Sequence, residues 1–169
     1  TLDTRPGAGT TVYLHLPRAA GLRKVARPPA PAPAQAAPAT DERILLVEDD
    51  VAVRRLVEEQ LVTLGYRVTT AEDGRTALGI LAGKDKFELM LTDLVMPNGV
   101  DGLTLAQEAR RLRPDLKIVL ATGIADHASL LDRKPDASIR ILPKPFRGRQ
   151  LARLLRELLD ESAGEKASS

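Results

Sequence analysis

Short apolar runs alternate with segments of helical spacing along residues 41–160. Five runs have the Val-, Ile-, Leu- and Thr-rich composition of strands: 43–47, 66–70, 87–92, 117–121 and 138–142. Four segments carry apolar residues at helical spacing: 53–64, 75–82, 105–112 and 151–159. Gly65 and Pro114 predict the ends of the first and third helices.

Nearly uninterrupted apolar strands separated by helices predict a parallel sheet, because such strands are buried on both faces. Right-handed crossovers then place helices on both sides. The expected fold class is therefore α/β, with a doubly wound five-stranded parallel sheet. Ligands of such folds bind at the carboxyl ends of the strands, so the residues that follow each strand are the first functional candidates.

Composition narrows the function classes. Aromatic residues make up only 2% of the 169 residues, so the expected core is aliphatic. The absence of Cys excludes disulfides, thiolate metal sites and cysteine nucleophiles, and fits a cytoplasmic protein. No apolar run reaches the roughly 18–20 residues that span a bilayer, so we expect no membrane contact by this segment.

The net charge of +2 does not indicate nucleic-acid binding. Residues 4–40 carry five basic side chains and no acid, whereas acids slightly outnumber bases across 41–160. The basic excess therefore lies outside the main domain, and we expect no direct contact with nucleic acid.

A Pro- and Ala-rich stretch divides the chain. Residues 28–38 read PPAPAPAQAAP, which favours an extended linker. We expect a short leader at 1–18, a linker at 19–40, the main domain at 41–160 and a polar tail at 161–169. The first residue is Thr, so we expect a piece of a longer protein, with the fragment itself monomeric.

Polar residues follow four of the predicted strands. They are Glu48, Asp49 and Asp50 after the first strand, Asp93 after the third, Thr122 after the fourth and Lys144 after the fifth. Each alone has an ordinary structural explanation, such as a helix cap for Asp49 or Asp50 or a loop charge for Lys144. Together they predict clustered carboxylates that need a cation, with Mg²⁺ the cation that suits oxygen ligands. A lysine and a hydroxyl beside them indicate phosphoryl transfer.

Four motifs resemble those of response-regulator receiver domains across 43–160: ILLVEDD, LMLTDLVMP, ATG at 121–123 and LPKPF. The resemblance implies a flavodoxin-like sheet of strand order 2-1-3-4-5. It implies that Asp93 is the phosphoacceptor, assisted by the switch hydroxyl of Thr122 and by Lys144. It also implies that Mg²⁺ is bound by Glu48, Asp49, Asp93 and the backbone carbonyl of Val95. Asp50 lies one position beyond the acidic pair of the family and is expected to start a helix. The Lys144–Pro145 peptide bond is expected to be cis.

Three positions depart from the family pattern. The position three before the lysine is often aromatic, but here it is Ile141, and we expect weak or differently built coupling to the surface around the last strand. Val95 and Ile124 lie two residues after Asp93 and Thr122. Neither apolar side chain can orient a hydrolytic water, which predicts a long-lived aspartyl phosphate.

The leader reads GAGTTVYLHLP at 7–17, and its alternating Val12, Leu14 and Leu16 predict a strand. Beside a receiver it resembles the last strand of the ATP-binding domain of sensor histidine kinases. A hybrid histidine kinase is the expected parent, with a kinase core or a histidine-phosphotransfer protein as partner. The segment would catalyse its own aspartyl phosphorylation but lacks a kinase core, and attachment of the parent to a membrane stays open. His15 and His127 are expected to be incidental, and the detached leader strand to be disordered or to seek an edge.

Two alternatives stay open. A pseudo-receiver would serve purely as an interaction surface. A phosphatase of the aspartate-nucleophile type shares the sheet and the metal-bound Asp, but resembles D-x-D, and here the second position is Val95.

Overall fold

The computed structural model describes residues 2–5, 7, 9–13, 15, 41–96, 99–123, 130, 133 and 136–166. The chain divides into two compact units, Thr1–Pro33 and Ala34–Ser169. The described strands are β1 Leu2–Arg5, β2 Gly9–Val12, β3 Arg43–Val47, β4 Arg67–Ala71, β5 Leu89–Asp93, β6 Lys117–Thr122 and β7 Ile139–Pro143. The described helices are α1 Val51–Thr63, α2 Gly74–Leu81, α3 Gly102–Leu112 and α4 Gly148–Lys166.

The larger unit contains a five-stranded sheet in the order β4-β3-β5-β6-β7. Every pairing in it is parallel. Counted from β3 as the first strand, this order is 2-1-3-4-5, so the prediction of a flavodoxin-like doubly wound sheet is confirmed. All five predicted strands of this sheet form, with boundaries shifted by no more than two residues.

Two hydrophobic clusters cover the two faces of the sheet, which explains the nearly continuous apolar strands. Leu45 and Met90 point to the side covered by α2 and α3. Ile44 and Leu91 point to the side covered by α1 and α4, which contribute Leu61 and Leu155 to that cluster. Side chains alternate in a strand, so an apolar residue is needed at every position when both faces are covered.

Aspartate side chains cap the starts of α1, α2 and α3. The Asp50 carboxylate accepts hydrogen bonds from the Ala52 and Val53 amides, which confirms that Asp50 starts α1. Gly65, at a φ of 94°, follows the end of α1 as predicted. The last helix, α4, continues to Lys166, so much of the segment predicted as a polar tail is helical.

The smaller unit contains an antiparallel hairpin. Its strands β1 and β2 pair from Leu2 opposite Val12 to Arg5 opposite Gly9. The hydroxyls of Thr4 and Thr10 are hydrogen-bonded across the pair at 2.8 Å. The predicted leader strand therefore has a partner within the leader itself. Leu14 and Leu16, also assigned to that strand, lie outside the described residues.

Candidate functional site

The β3–α1 loop brings two acidic side chains to the carboxyl edge of the sheet. Glu48 and Asp49 directly follow β3, and the Glu48 amide donates to the carbonyl of Ala71 at 3.2 Å, which continues the ladder beyond the strand. Glu48 is buried, with 5% of its surface exposed, and Asp49 is half-buried. The loop therefore holds one carboxylate inside the protein and the next at its surface.

Asp93 is the last residue of β5, the central strand. One carboxylate oxygen, Oδ1, accepts a hydrogen bond from the Leu94 amide at 2.7 Å. The other, Oδ2, accepts one from Lys144 Nζ, also at 2.7 Å. Both carboxylate oxygens thus have a hydrogen-bond donor, which holds the half-buried side chain in one orientation at the carboxyl end of β5.

Lys144 directly follows β7 and reaches back toward the centre of the sheet. Its ammonium group lies 2.7 Å from Asp93 Oδ2 and 3.0 Å from Glu48 Oε2. The Lys144 amide donates to the Thr122 carbonyl at 2.7 Å, and the Lys144–Pro145 bond is cis, as expected. The Lys144 ammonium therefore bridges the carboxylate that ends β5 and the carboxylate that follows β3.

Three carboxylates converge here. Oxygens of Glu48, Asp49 and Asp93 all lie within 4.8 Å of one another. Burial raises the pKa of Glu48, and the neighbouring Asp93 adds to this rise while the ammonium of Lys144 opposes it. Burial alone would lower the pKa of Lys144, but its hydrogen bonds to Asp93 and Glu48 raise it, so the lysine stays charged.

The other two predicted site residues lie close by. Thr122 ends β6, is buried, and pairs in register with Pro143, while its hydroxyl donates to the Gly123 carbonyl at 3.0 Å. Val95 is 50% exposed, two residues beyond Asp93. Ile141 is half-buried against the core on the α2 and α3 side. Ile124 and His127 lie outside the described residues.

Sequence reasoning missed two residues beside the site. Arg54 in α1 donates to the Glu48 carbonyl at 2.5 Å and to the Asp49 carbonyl at 3.3 Å. Gly102, the first residue of α3, lies so close to Asp93 that a Cβ atom would be 1.9 Å from the Asp93 carbonyl oxygen. Asp-Gly before a helical segment signals a helix start, but no sequence signal announces this close approach.

Residues 44–156 match the response regulator receiver domain family. The chain belongs to this family. The curated response regulator receiver protein CpdR of Brucella abortus is 40% identical over 118 residues, which cover 70% of this chain and 97% of CpdR. The prediction of a receiver domain of two-component signalling is therefore confirmed.

Two further comparisons concern the leader and the fold. The sensor kinase CckA of Brucella abortus is 35% identical over 165 residues, which cover 94% of this chain but only 17% of the kinase. The crystal structure of the response regulator TrrA of Thermotoga maritima, in complex with Mg²⁺-BeF, matches with a TM-score of 0.61 and 31% identity. That match covers 69% of this chain and 98% of TrrA.

Among the described residues, no helix has both the length and the apolar character that crossing a membrane requires.

Proposed function

We propose that this receiver domain accepts a phosphoryl group from a phosphohistidine onto the carboxylate of Asp93. The observation that carries the proposal is the position of Lys144 Nζ, 2.7 Å from Asp93 Oδ2, beside two further carboxylates. One buried and two half-buried carboxylates that converge repel one another, and such a cluster is typical of a site that binds a cation and a phosphoryl group.

The donor set fits Mg²⁺, which prefers oxygen ligands and retains several waters. Glu48, Asp49 and Asp93 would hold the ion, with the Val95 carbonyl as a further ligand. The raised pKa of Glu48 supports this fit. Burial disfavours the charged form of a carboxylate, and a bound cation would offset that cost. When bound, Mg²⁺ neutralises negative charge on the transferring oxygens.

In the proposed transfer, a carboxylate oxygen of Asp93 attacks the phosphorus, the O–P bond forms and the P–N bond to the donor imidazole breaks. Lys144, already at the Asp93 carboxylate, stabilises the negative charge of the phosphoryl oxygens. The Thr122 hydroxyl would exchange the Gly123 carbonyl for a phosphoryl oxygen. That exchange would move the loop after β6 and bias a two-state surface.

The test uses the whole chain with Mg²⁺ and acetyl phosphate, and compares wild type with Asp93→Asn. We expect the wild type to gain the mass of one phosphoryl group and the variant to gain none, because the amide lacks the nucleophilic oxygen. An unlabelled wild type would overturn the proposal in favour of a pseudo-receiver. Steady release of phosphate by the wild type would support a phosphatase instead.

We further propose that the domain serves a hybrid histidine kinase, receiving phosphate from a kinase core or exchanging it with a histidine-phosphotransfer protein in the cytoplasm. The similarity to the sensor kinase CckA supports this, because it covers 94% of this chain and so extends into the leader. Phosphoryl transfer from an isolated autophosphorylated kinase core to wild type, and not to Asp93→Asn, would support the assignment.

The proposed phosphoaspartate is expected to persist long enough for a relay. Val95 lies half-exposed two residues beyond Asp93, and its side chain has no group that can hydrogen-bond an attacking water. Val95→Asn supplies such a group and should accelerate loss of the phosphoryl group several-fold, measured as decay of the phosphorylated mass. Equal decay of wild type and variant, both fast, would contradict the prediction.

A further inference from the structure

Arg54 lies behind the two acidic residues of the β3–α1 loop. Its Nη1 donates to the backbone carbonyls of Glu48 and Asp49, at 2.5 Å and 3.3 Å, while the carboxylates of both residues converge with that of Asp93. The guanidinium therefore holds the backbone of the acidic pair and not its carboxylates. The side chain is half-buried, which favours a fixed arrangement over a solvated one.

The same loop is also held from the other direction. The Asp50 carboxylate accepts from the Ala52 and Val53 amides at 2.8 Å and 3.0 Å. Arg54 is in the first turn of α1, where its own amide donates to the Asp50 carbonyl at 2.8 Å. The acidic loop is thus tied to the first turn of the helix by one side chain from the loop and one from the helix.

We propose that Arg54 is a positioning residue, which fixes the backbone of Glu48 and Asp49 so that their carboxylates present a preformed set of oxygens to Mg²⁺. The inference rests on the metal assignment within the proposed function. Groups that orient metal ligands without touching the metal commonly change metal affinity by about 10–100-fold when they are removed. A divalent ion with strict geometry gains most from ligands that are already in place.

The charge of Arg54 acts in the opposite direction, which makes the inference testable. A guanidinium near a cation site repels the cation, so its removal by charge alone would tighten Mg²⁺ binding. Positioning predicts weaker binding instead. Arg55, the next residue of α1, supplies the matched control, because it is also an arginine but is exposed and screened by solvent.

The experiment titrates Mg²⁺ into the whole chain and follows backbone amide shifts, for wild type, Arg54→Gln, Arg54→Lys and Arg55→Gln. We expect Arg54→Gln to weaken Mg²⁺ binding by about tenfold or more. Arg54→Lys should lie between this variant and wild type, because an ammonium can reach a carbonyl but lacks the planar fork. Arg55→Gln should bind Mg²⁺ as tightly as wild type or slightly more tightly.

A metal-free readout separates positioning from general loss of structure. Amide hydrogen exchange at Asp49 and Asp50 should accelerate in Arg54→Gln, while exchange in β5 and β6 stays as in wild type. Unchanged Mg²⁺ affinity in Arg54→Gln, an equal loss in Arg55→Gln, or faster exchange throughout the sheet would each overturn the inference. So would a wild type that binds no Mg²⁺.

The inference and the proposed function fail in different ways. A wild type that binds Mg²⁺ tightly, and more tightly than Arg54→Gln, but takes no label from acetyl phosphate would support the positioning role and overturn phosphoryl acceptance. A wild type that takes the label, with Arg54→Gln binding Mg²⁺ equally well, would leave the proposed function standing and overturn the positioning role.

Discussion

The two ends of the five-stranded sheet differ in how their charged side chains are balanced and how far they are exposed. At the carboxyl end, three half-buried or buried carboxylates face the single ammonium of Lys144 among the described residues. At the amino end, two exposed ion pairs join charges of opposite sign, Arg43 with Asp85 at 3.0 Å and Arg67 with Asp41 at 2.6 Å. These pairs are exposed, with 71% and 90% of the two Asp side chains open to solvent.

The difference shows which charges the fold needs and which serve chemistry. Exposed pairs cost little to form and contribute little, because water screens them and the long side chains lose freedom. An unbalanced buried cluster costs stability, and a protein keeps such a cluster where a ligand compensates it. The carboxyl end of this receiver domain meets that description, and the two exposed pairs at the amino end do not.

The largest effect is expected when the cation of the carboxyl end is removed. Lys144→Met should slow labelling by acetyl phosphate about 100-fold, because it removes a fixed donor for developing negative charge. Mg²⁺ affinity should not fall, since the ammonium and the metal repel each other. The control is Lys86→Met, an exposed lysine before β5 at the opposite end, which should label at the wild-type rate. Equally slow labelling of both variants would show that the effect is not specific to the carboxyl end of the sheet.

A smaller effect is expected from the backbone contact beneath the site. Gly102→Ala would place a Cβ 1.9 Å from the Asp93 carbonyl oxygen and 2.9 Å from Leu120 Cδ1. The required shift should lower the free energy of unfolding by about 1–3 kcal/mol, measured by urea denaturation. Gly79→Ala, in the exposed middle of α2 with nothing within 4 Å, should instead raise it by about 0.5–1 kcal/mol. A Gly102→Ala protein of wild-type stability would show that α3 can move away freely.

The smallest effect concerns Asp101, which caps α3 and accepts hydrogen bonds from Arg133 at 3.0 Å and 3.3 Å. Burial alone would raise the pKa of Asp101, but the hydrogen bonds from Arg133 and Thr104 hold the pKa below its ordinary value. Because the pKa of Asp101 is lower in the folded state than in the unfolded state, its charge stabilises the fold above the unfolded-state pKa. This stabilisation is lost as the pH falls through the folded-state pKa. Asp101→Asn keeps the helix cap, and Asp101 and Arg133 are partly exposed. The substitution should therefore lower the free energy of unfolding by less than about 1 kcal/mol at pH 7.

Urea unfolding of this variant and wild type across pH 3 to 7 checks the sign, since the difference should shrink as the pH falls below about 3.8. Asp41→Asn, in the exposed pair with Arg67, serves as the control and should change nothing measurable at any pH. A difference for Asp101→Asn that stays constant with pH would show that the charge of Asp101 does not contribute to the free energy of unfolding.

Much of this protein follows from local patterns. Five apolar runs predicted the strands, because strands covered on both faces need apolar residues at every position. The acidic, hydroxyl and basic residues after those runs could be assigned to one edge, since parallel strands end together. The site therefore followed from where Glu48, Asp93 and Lys144 stand relative to their strands.

Other features depend on contacts between distant segments, for which the chain carries no periodic signal. Nothing in two adjacent arginines distinguishes Arg54, turned to the acidic loop, from Arg55 in solvent. The need for Gly102 comes from the backbone of Asp93 on another element, and the partner of Asp101 is 32 residues away. Periodicity records which face of an element is buried, but the choice of partner across elements depends on how those faces pack in three dimensions.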